Sequence, residues 1–172
     1  AFDILRLNSI SRRDDAAAPA LAHLTPGARV LRVPAGPPRF IAKERLLEHM
    51  PAFARAAGRL LRGLACEVIH ANFFMSGLVG LRLKRRFGLP LVMTFHALGL
   101  VRREHQGEAD AFPAARIDIE RCLVRQADML IAECPQDRAD LIRLYGADAA
   151  RIRTVPCGVD VGEFYPASKA AA

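Results

Sequence analysis

The chain has 172 residues, 52% of them hydrophobic and 25% charged, which suffices for one substantial core and excludes disorder over most of its length. Twenty-five Lys and Arg against 18 Asp and Glu leave a formal charge of +7, which points to an anionic partner without choosing among phosphate, lipid and nucleic acid. No apolar run approaches the ~20 residues of a membrane span. The opening Ala-Phe-Asp-Ile-Leu-Arg lacks the basic start and small-residue cleavage site of a secretory signal, so a soluble cytoplasmic protein is the expectation.

In chain order, residues 2–10 and Ala28–Val33 read as strands separated by a polar, Ala-rich stretch. Pro51 suits the first turn of a helix in which Phe53, Ala56, Ala57, Leu60, Leu61 and Leu64 recur at helical spacing, with residues 43–50 adding a turn before it. Residues 66–71 form a short strand, and the helix after it ends at Gly88 behind Arg82, Lys84, Arg85 and Arg86. Those cations complement the helix dipole from a solvated last turn. Gly77 and Gly80 weaken this helix, and the return is close approach of one face to the sheet or to a ligand.

Residues 89–95 are the most strand-like run, ending in Thr94-Phe95-His96-Ala97-Leu98-Gly99. A polar connection over 102–113 leads to a helix over 114–126. Met129–Ala132 is the next strand, Pro135 opens and Gly146 closes the following helix, and residues 152–156 make the last strand. It runs into Cys157-Gly158-Val159-Asp160, and residues 167–172 read as a tail or the start of a linker. Alternating strands and helices define an α/β class, a Rossmann-like parallel sheet flanked by helices.

In open α/β sheets ligands bind at the carboxyl ends of the strands, which selects His70 with Asn72, Thr94 with His96, Glu133, and Gly158 with Asp160. His70 sits in an apolar run, where a histidine satisfied within the core is as reasonable as a functional one. His96 follows the best strand and precedes a flexible Leu98-Gly99 turn that exposes an imidazole at the rim, although backbone partners would also satisfy it. Arg102, Arg103 and Arg116 border the polar connection and have the geometry to receive a phosphate; the alternative is three solvated arginines. Cys66, Cys122, Cys134 and Cys157 never form a C-x-x-C pair and read as buried free thiols. No ligand spacing supports a zinc site from His70, His96 and a cysteine, so no metal is expected. G-x-S-x-G, Walker A and G-x-G-x-x-G motifs are absent.

Four segments in order, His70-Ala-Asn-Phe-Phe-Met-Ser-Gly77, Thr94-Phe-His-Ala-Leu-Gly99, Ala127-Asp-Met-Leu-Ile-Ala132 with Pro135-Gln136, and Val155-Pro-Cys-Gly-Val-Asp160 with Phe164 and Pro166, carry a resemblance. They resemble the amino-terminal domain of the GT-B retaining glycosyltransferases of family 4, in the group containing sucrose-phosphate synthase, sucrose synthase and the D-inositol-3-phosphate glycosyltransferases. The likeness runs from Arg12 to Pro166. It implies an enzyme of two Rossmann-like domains, the first carrying most of the acceptor site and the second binding a nucleotide-sugar, which serves as co-substrate with no cofactor. By the resemblance His96 is the active-site histidine facing the transferred sugar, with Thr94 beside it. Arg116 is similar to the arginine that contacts an acceptor phosphate, Arg102 and Arg103 lie where relatives place basic residues, and Gly158 belongs to the turn at the interdomain cleft.

Two departures stand out. The family's donor-binding domain, with glutamates eight residues apart, is absent from residues 1–172, and the usual first strand and Gly-rich loop are not recognisable. A sheet without that strand implies unpaired backbone groups, and hence an altered fold or a partner strand. The reading is therefore an acceptor-side domain over residues 1–166 that alone does not turn over donor. Such transfer needs positioning and charge stabilisation more than a covalent nucleophile. Its partners are a sugar or sugar-phosphate acceptor and, through the missing domain, the nucleotide-sugar; homo-oligomerisation is left open. The alternative is a non-catalytic sugar-phosphate-binding or interaction module. Nucleic-acid binding, a third reading that is not favoured, predicts a steep salt dependence.

Overall fold

The structure, a computed structural model, describes residues 7–107 and 111–164. Residues 2–6 of the first expected strand, Pro166 and the expected tail over 167–172 lie outside the described residues.

The first three strands, β1 (Leu7–Arg12), β2 (Leu21–Thr25) and β3 (Ala28–Val33), form a sheet in the order β1-β3-β2. β1 runs parallel to β3 and β2 antiparallel to it. β2 corrects the expected polar stretch. Pro26-Gly27 is a turn-forming pair that folds Leu21–Thr25 back onto β3.

A 3-10 turn over Lys43–His49 leads into α1 (Met50–Leu61), whose first turn holds Pro51 and whose buried face includes Phe53, Ala57 and Leu61. The second sheet, all parallel, has the order β4-β5-β6-β7, from β4 (Ile69–Asn72), β5 (Leu91–Thr94), β6 (Met129–Ala132) and β7 (Ile152–Thr154). Its helices are α2 (Phe74–Phe87), α3 (Gly99–Gln106), α4 (Ala115–Gln126) and α5 (Pro135–Tyr145). β3 and β6 keep the expected bounds, β5 and β7 are shorter than their apolar runs, and β1 and β4 end later than expected, at Arg12 and Asn72.

The core centres on β5, where Leu91 and Met93 are fully buried. The two glycines of α2 explain how the helix comes so close. A Cβ at Gly77 would lie 2.7 Å from Leu123 Cδ1 and 2.8 Å from Met93 Sδ, and one at Gly80 would lie 2.7 Å from Leu91 Cδ1. The close approach is thus to β5 and α4.

The basic end of α2 is not simply solvated. Lys84 Nζ donates to Gln126 O at 3.0 Å and to Asp128 Oδ2 at 2.5 Å, and Arg85 donates to Gln126 Oε1 at 2.6 Å. Asp128 Oδ2 also accepts from Leu91 N at 2.7 Å, so the cluster ties α2 to the α4–β6 junction and β5. The four cysteines are free as expected but not buried: Cys157 is exposed and the others are half-buried. Among the described residues, no helix is long and apolar enough to cross a membrane.

Candidate functional site

Polar side chains gather where β4, β5 and β6 end. Thr94, the last residue of β5, is buried, and its Oγ1 shares a 2.8 Å hydrogen bond with His70 Nε2 of β4. His70 is therefore not a core histidine; it lies exposed on β4, the edge of this sheet among the described residues. Its ring is nonetheless half-buried, and that desolvation, followed by repulsion from His96, pushes its pKa down.

His96, two residues beyond β5, has a φ of +59, a left-handed conformation that costs a non-glycine residue energy and persists only where its surroundings hold it. Its ring lies between two oxygens: Nδ1 is 2.8 Å from Glu133 Oε1 and Nε2 is 2.8 Å from Asn72 Oδ1. Glu133 immediately follows β6, and the same Oε1 accepts a hydrogen bond from the Cys157 thiol at 2.9 Å. That thiol, more than His96, holds the Glu133 carboxyl below the usual carboxylate range, and Glu133 in turn pushes the thiol up. Asn72 at the end of β4 and Glu133 after β6 thus hold the imidazole that follows β5, whose side chain is 44% exposed.

The turn after His96 is fixed, which corrects the expected flexible Leu98-Gly99 turn and the polar connection that followed it. Leu98 is buried and caps α3, which occupies Gly99–Gln106. Gly99 N donates to both carboxylate oxygens of Glu120, at 2.9 and 3.2 Å, and Leu100 N donates to Tyr145 Oη at 2.9 Å. Tyr145 Oη donates to the same carboxylate in a short hydrogen bond. Arg116 completes the clamp, with Nη2 on Ala97 O at 2.6 Å and Nε on Glu120 Oε1 at 2.7 Å. A Cβ at Gly99 would lie 2.7 Å from Ile117 Cδ1 and 2.9 Å from Glu120 Oε2, so only glycine lets the turn come this close.

Arg116 is therefore not a solvated arginine; it is 1% exposed. Its Cζ lies 4.5 Å from the centre of the Phe112 ring, and Arg102 Cζ and Lys43 Nζ approach the same ring at 5.1 and 5.7 Å. Three cations from separate elements meet there, and Glu120 pairs with one of them, Arg116. Arg102 Nη2 also donates to Gln106 Oε1, whereas Arg103 is exposed on α3. Gly158 is exposed beside Cys157, with nothing within 4 Å of the position a Cβ would take. Lys43, Phe112 and Tyr145 escaped the sequence reading because no local motif surrounds them. Among the described residues, no group of three or more His, Cys, Asp or Glu side chains is arranged to hold a metal ion.

A Rossmann-like layer with a polar rim at its strand ends is the architecture of one half of a GT-B enzyme. The family model for Glycosyltransferase Family 4 matches residues 10–163, and the chain belongs to that family. D-inositol 3-phosphate glycosyltransferase 2 of Catenulispora acidiphila is 37% identical over 175 residues, a span covering 98% of this chain and 40% of that protein. The D-inositol 3-phosphate glycosyltransferase of Kribbella flavida is 35% identical, covering 98% of this chain and 41% of that protein. Among solved structures, sucrose-phosphate synthase from Thermosynechococcus elongatus superposes with a TM-score of 0.86 at 31% identity, covering 93% of this chain and 40% of that one. The chain therefore spans about two fifths of the length of these relatives and corresponds to an amino-terminal GT-B domain.

Proposed function

We propose that the chain is the acceptor-binding half of a retaining glycosyltransferase, and that its acceptor is a phosphorylated sugar or polyol. The observation that carries this reading is the meeting of Lys43, Arg102 and Arg116 around Phe112, next to the clamped turn that presents His96. Three positive charges gathered on one ring are complementary to a phosphate dianion. The names of the relatives, which specify D-inositol 3-phosphate, support the same class of acceptor.

Within this reading the residues divide the work. His96 faces the sugar in transfer, with Glu133 and Asn72 setting the plane of its ring and Thr94 and His70 lining the rim. Arg102 and Arg103 meet the acceptor from α3, and Gly158 lies at the interdomain cleft. Arg116 is buried beneath Phe112, so it attracts the phosphate through its field and reaches it directly only when that ring moves aside. In the reaction, an acceptor hydroxyl oxygen bonds to the anomeric carbon while the bond to the nucleoside diphosphate breaks, and the hydroxyl proton departs with the diphosphate. Retention means that the new bond takes the face the old one left.

The recess bordered by His96 and Glu133 has a volume of only about 20 Å³, room for a water molecule and not for a sugar ring. A second surface must close over it, which supports inactivity of this chain alone. The test is to mix the purified chain with nucleotide-sugars and phosphorylated acceptors, following the His96 imidazole by NMR. The expected result is an acceptor-dependent shift of His96 without product; sugar transfer by the 172-residue chain, or a His96 signal that no acceptor moves, contradicts the proposal.

A further inference from the structure

Helices α1, α2 and α4 each end where the next strand begins, so their last turns lie together at the end of the domain opposite His96. Packing brings these ends side by side. A Cβ at Gly58 of α1 would lie 3.5 Å from Leu83 Cδ2 and 3.6 Å from Arg86 Nη1 of α2, and Arg85 of α2 donates to Gln126 Oε1 of α4. The β2–β3 turn belongs to the same end. β3 delivers its carboxyl end to the start of α1, where a Cβ at Gly36 would lie 2.7 Å from His49 Nδ1. Its amino end, with Pro26-Gly27, therefore lies on the side of the domain where α1 closes.

This end is more cationic than helix termini require. Arg59 and Arg62 at the close of α1, Arg82, Arg85 and Arg86 of α2, and Arg125 of α4 are all exposed. A helix carboxyl end carries roughly half a negative charge, so three ends offset about 1.5 of these six. Among the described residues, Arg59, Arg62, Arg82, Arg86 and Arg125 have no carboxylate partner. Of the carboxylates in the connections here, Asp128 is taken by Lys84 and Asp148 lies 3.9 Å from Arg151 Nε, which leaves Glu67. Apolar side chains sit at the same end. Leu24, at the tip of the β2–β3 hairpin, is 64% exposed, and Leu7, whose N donates to Gly27 O at 2.7 Å, is 54% exposed.

We infer that this end of the domain is a docking face for an anionic lipid bilayer. Cations spread over three neighbouring helix ends, with axes roughly 8–10 Å apart, match a broad array of anionic headgroups, and the hairpin leucines enter the apolar layer beneath them. The mixture of groups chooses the occupant. A nucleic acid would satisfy the arginines and leave Leu24 in water, whereas a bilayer supplies both the anions and an apolar interior. Docked in this way, the rim that holds His96 and the cations around Phe112 faces away from the lipid and stays open. The formal charge of +7, which suits phosphate, lipid and nucleic acid alike, is thereby given a place on the surface.

Co-sedimentation of the purified 172-residue chain with vesicles is the test. Phosphatidylcholine vesicles should bind none of it, and vesicles with about one third phosphatidylserine should bind it at low salt and release it as salt screens the contact. Each cation near an anionic surface strengthens binding about fivefold. Arg62→Ala with Arg82→Ala, two exposed side chains whose removal leaves the core untouched, should therefore weaken binding about 25-fold. Arg39→Ala with Arg45→Ala removes the same charge from the opposite end and should change binding by less than about twofold. Leu24→Ser should weaken vesicle binding about fivefold through the lost apolar contact. The inference is overturned by no binding to the phosphatidylserine vesicles, by equal losses in the two arginine pairs, or by vesicle binding indifferent to Leu24→Ser. Tighter binding to a DNA duplex or a polyglutamate peptide than to the vesicles overturns it as well.

Discussion

Arg116 Nε donates to Glu120 Oε1 at 2.7 Å across one turn of α4, with the two side chains 2% and 0% exposed. Such a pair gains little over an apolar pair of the same volume, but its separation leaves a buried charge uncompensated. Glu120→Ala is therefore expected to cost about 3–5 kcal/mol in urea unfolding, because Arg116 would face Phe73, Phe74 and Phe112 without its partner. The double variant Arg116→Met with Glu120→Leu should recover most of that loss. A cost below ~1 kcal/mol for the single variant, the range of a surface pair, would show that the clamp contributes nothing to folding.

Tyr145 gives the clamp an alkaline signature. Burial, reinforced by the negative charge of Glu120, pushes its phenol well above the ordinary value. A group raised in the native state stabilises fully below its unfolded pKa and loses that contribution as pH rises through the native value. Stability should thus decline from about pH 10, where an unfolded tyrosine ionises. Tyr145→Phe should cost ~1–3 kcal/mol at neutral pH through the unsatisfied Leu100 N and Glu120 carboxylate, and should flatten the decline. Chemical denaturation from pH 8 to 11 reads both effects, and an unchanged slope contradicts the assignment.

Glu133 works in the opposite direction. Its carboxyl is held down first by the Cys157 thiol and then by His96, against partial desolvation, so its contribution to stability is present above the unfolded value of about 4.3 and is lost as pH falls through the lower native value. Carbon-detected titration should find the Glu133 pKa shifted upward in Cys157→Ala and, by less, in His96→Ala. A pKa that ignores the Cys157 substitution would break the proposed chain of contacts.

The α2 glycines offer a packing test. Gly77→Ala forces a methyl group against Leu123 and Met93 and should cost about 1–3 kcal/mol, the range for overpacked cores. At Gly63 an added methyl meets only Leu60 O at 3.8 Å, so Gly63→Ala should be close to neutral. Equal melting temperatures for the two variants would contradict the close packing of α2.

The alternation of apolar runs and amphipathic helices made the second sheet legible, because β4 to β7 and the helices between them each carry their own periodicity and caps. Pro51, Pro135, Gly88 and Gly146 mark ends that the structure keeps. β2 was hidden because Leu21–Thr25 is short and lies in an Ala-rich stretch, and its pairing is made by the turn at Pro26-Gly27. α3 was hidden because Arg102 to Gln106 is polar on the surface, while its anchoring comes from Glu120 and Tyr145, 21 and 45 residues away in sequence from their bonded amides. The rim residues His70, Asn72, Thr94 and His96 follow from strand ends alone. The inward turn of Arg116 does not, since a pair four residues apart on a helix looks the same whether it faces water or core.

The central claim is that this domain holds a phosphorylated acceptor beside His96, and calorimetric titration tests it most directly. The chain would be titrated with inositol phosphate, glucose 6-phosphate, their unphosphorylated counterparts and a nucleotide-sugar, and the series repeated with Lys43→Ala, which removes one of the three cations without opening the buried Arg116–Glu120 pair. The predicted result is binding that requires the phosphate and weakens by about tenfold in Lys43→Ala, the ~1.4 kcal/mol of one charge-assisted contact, with the nucleotide-sugar ignored. Binding of the nucleotide-sugar in preference to every phosphorylated acceptor, or phosphate binding that Lys43→Ala leaves unchanged, would contradict it.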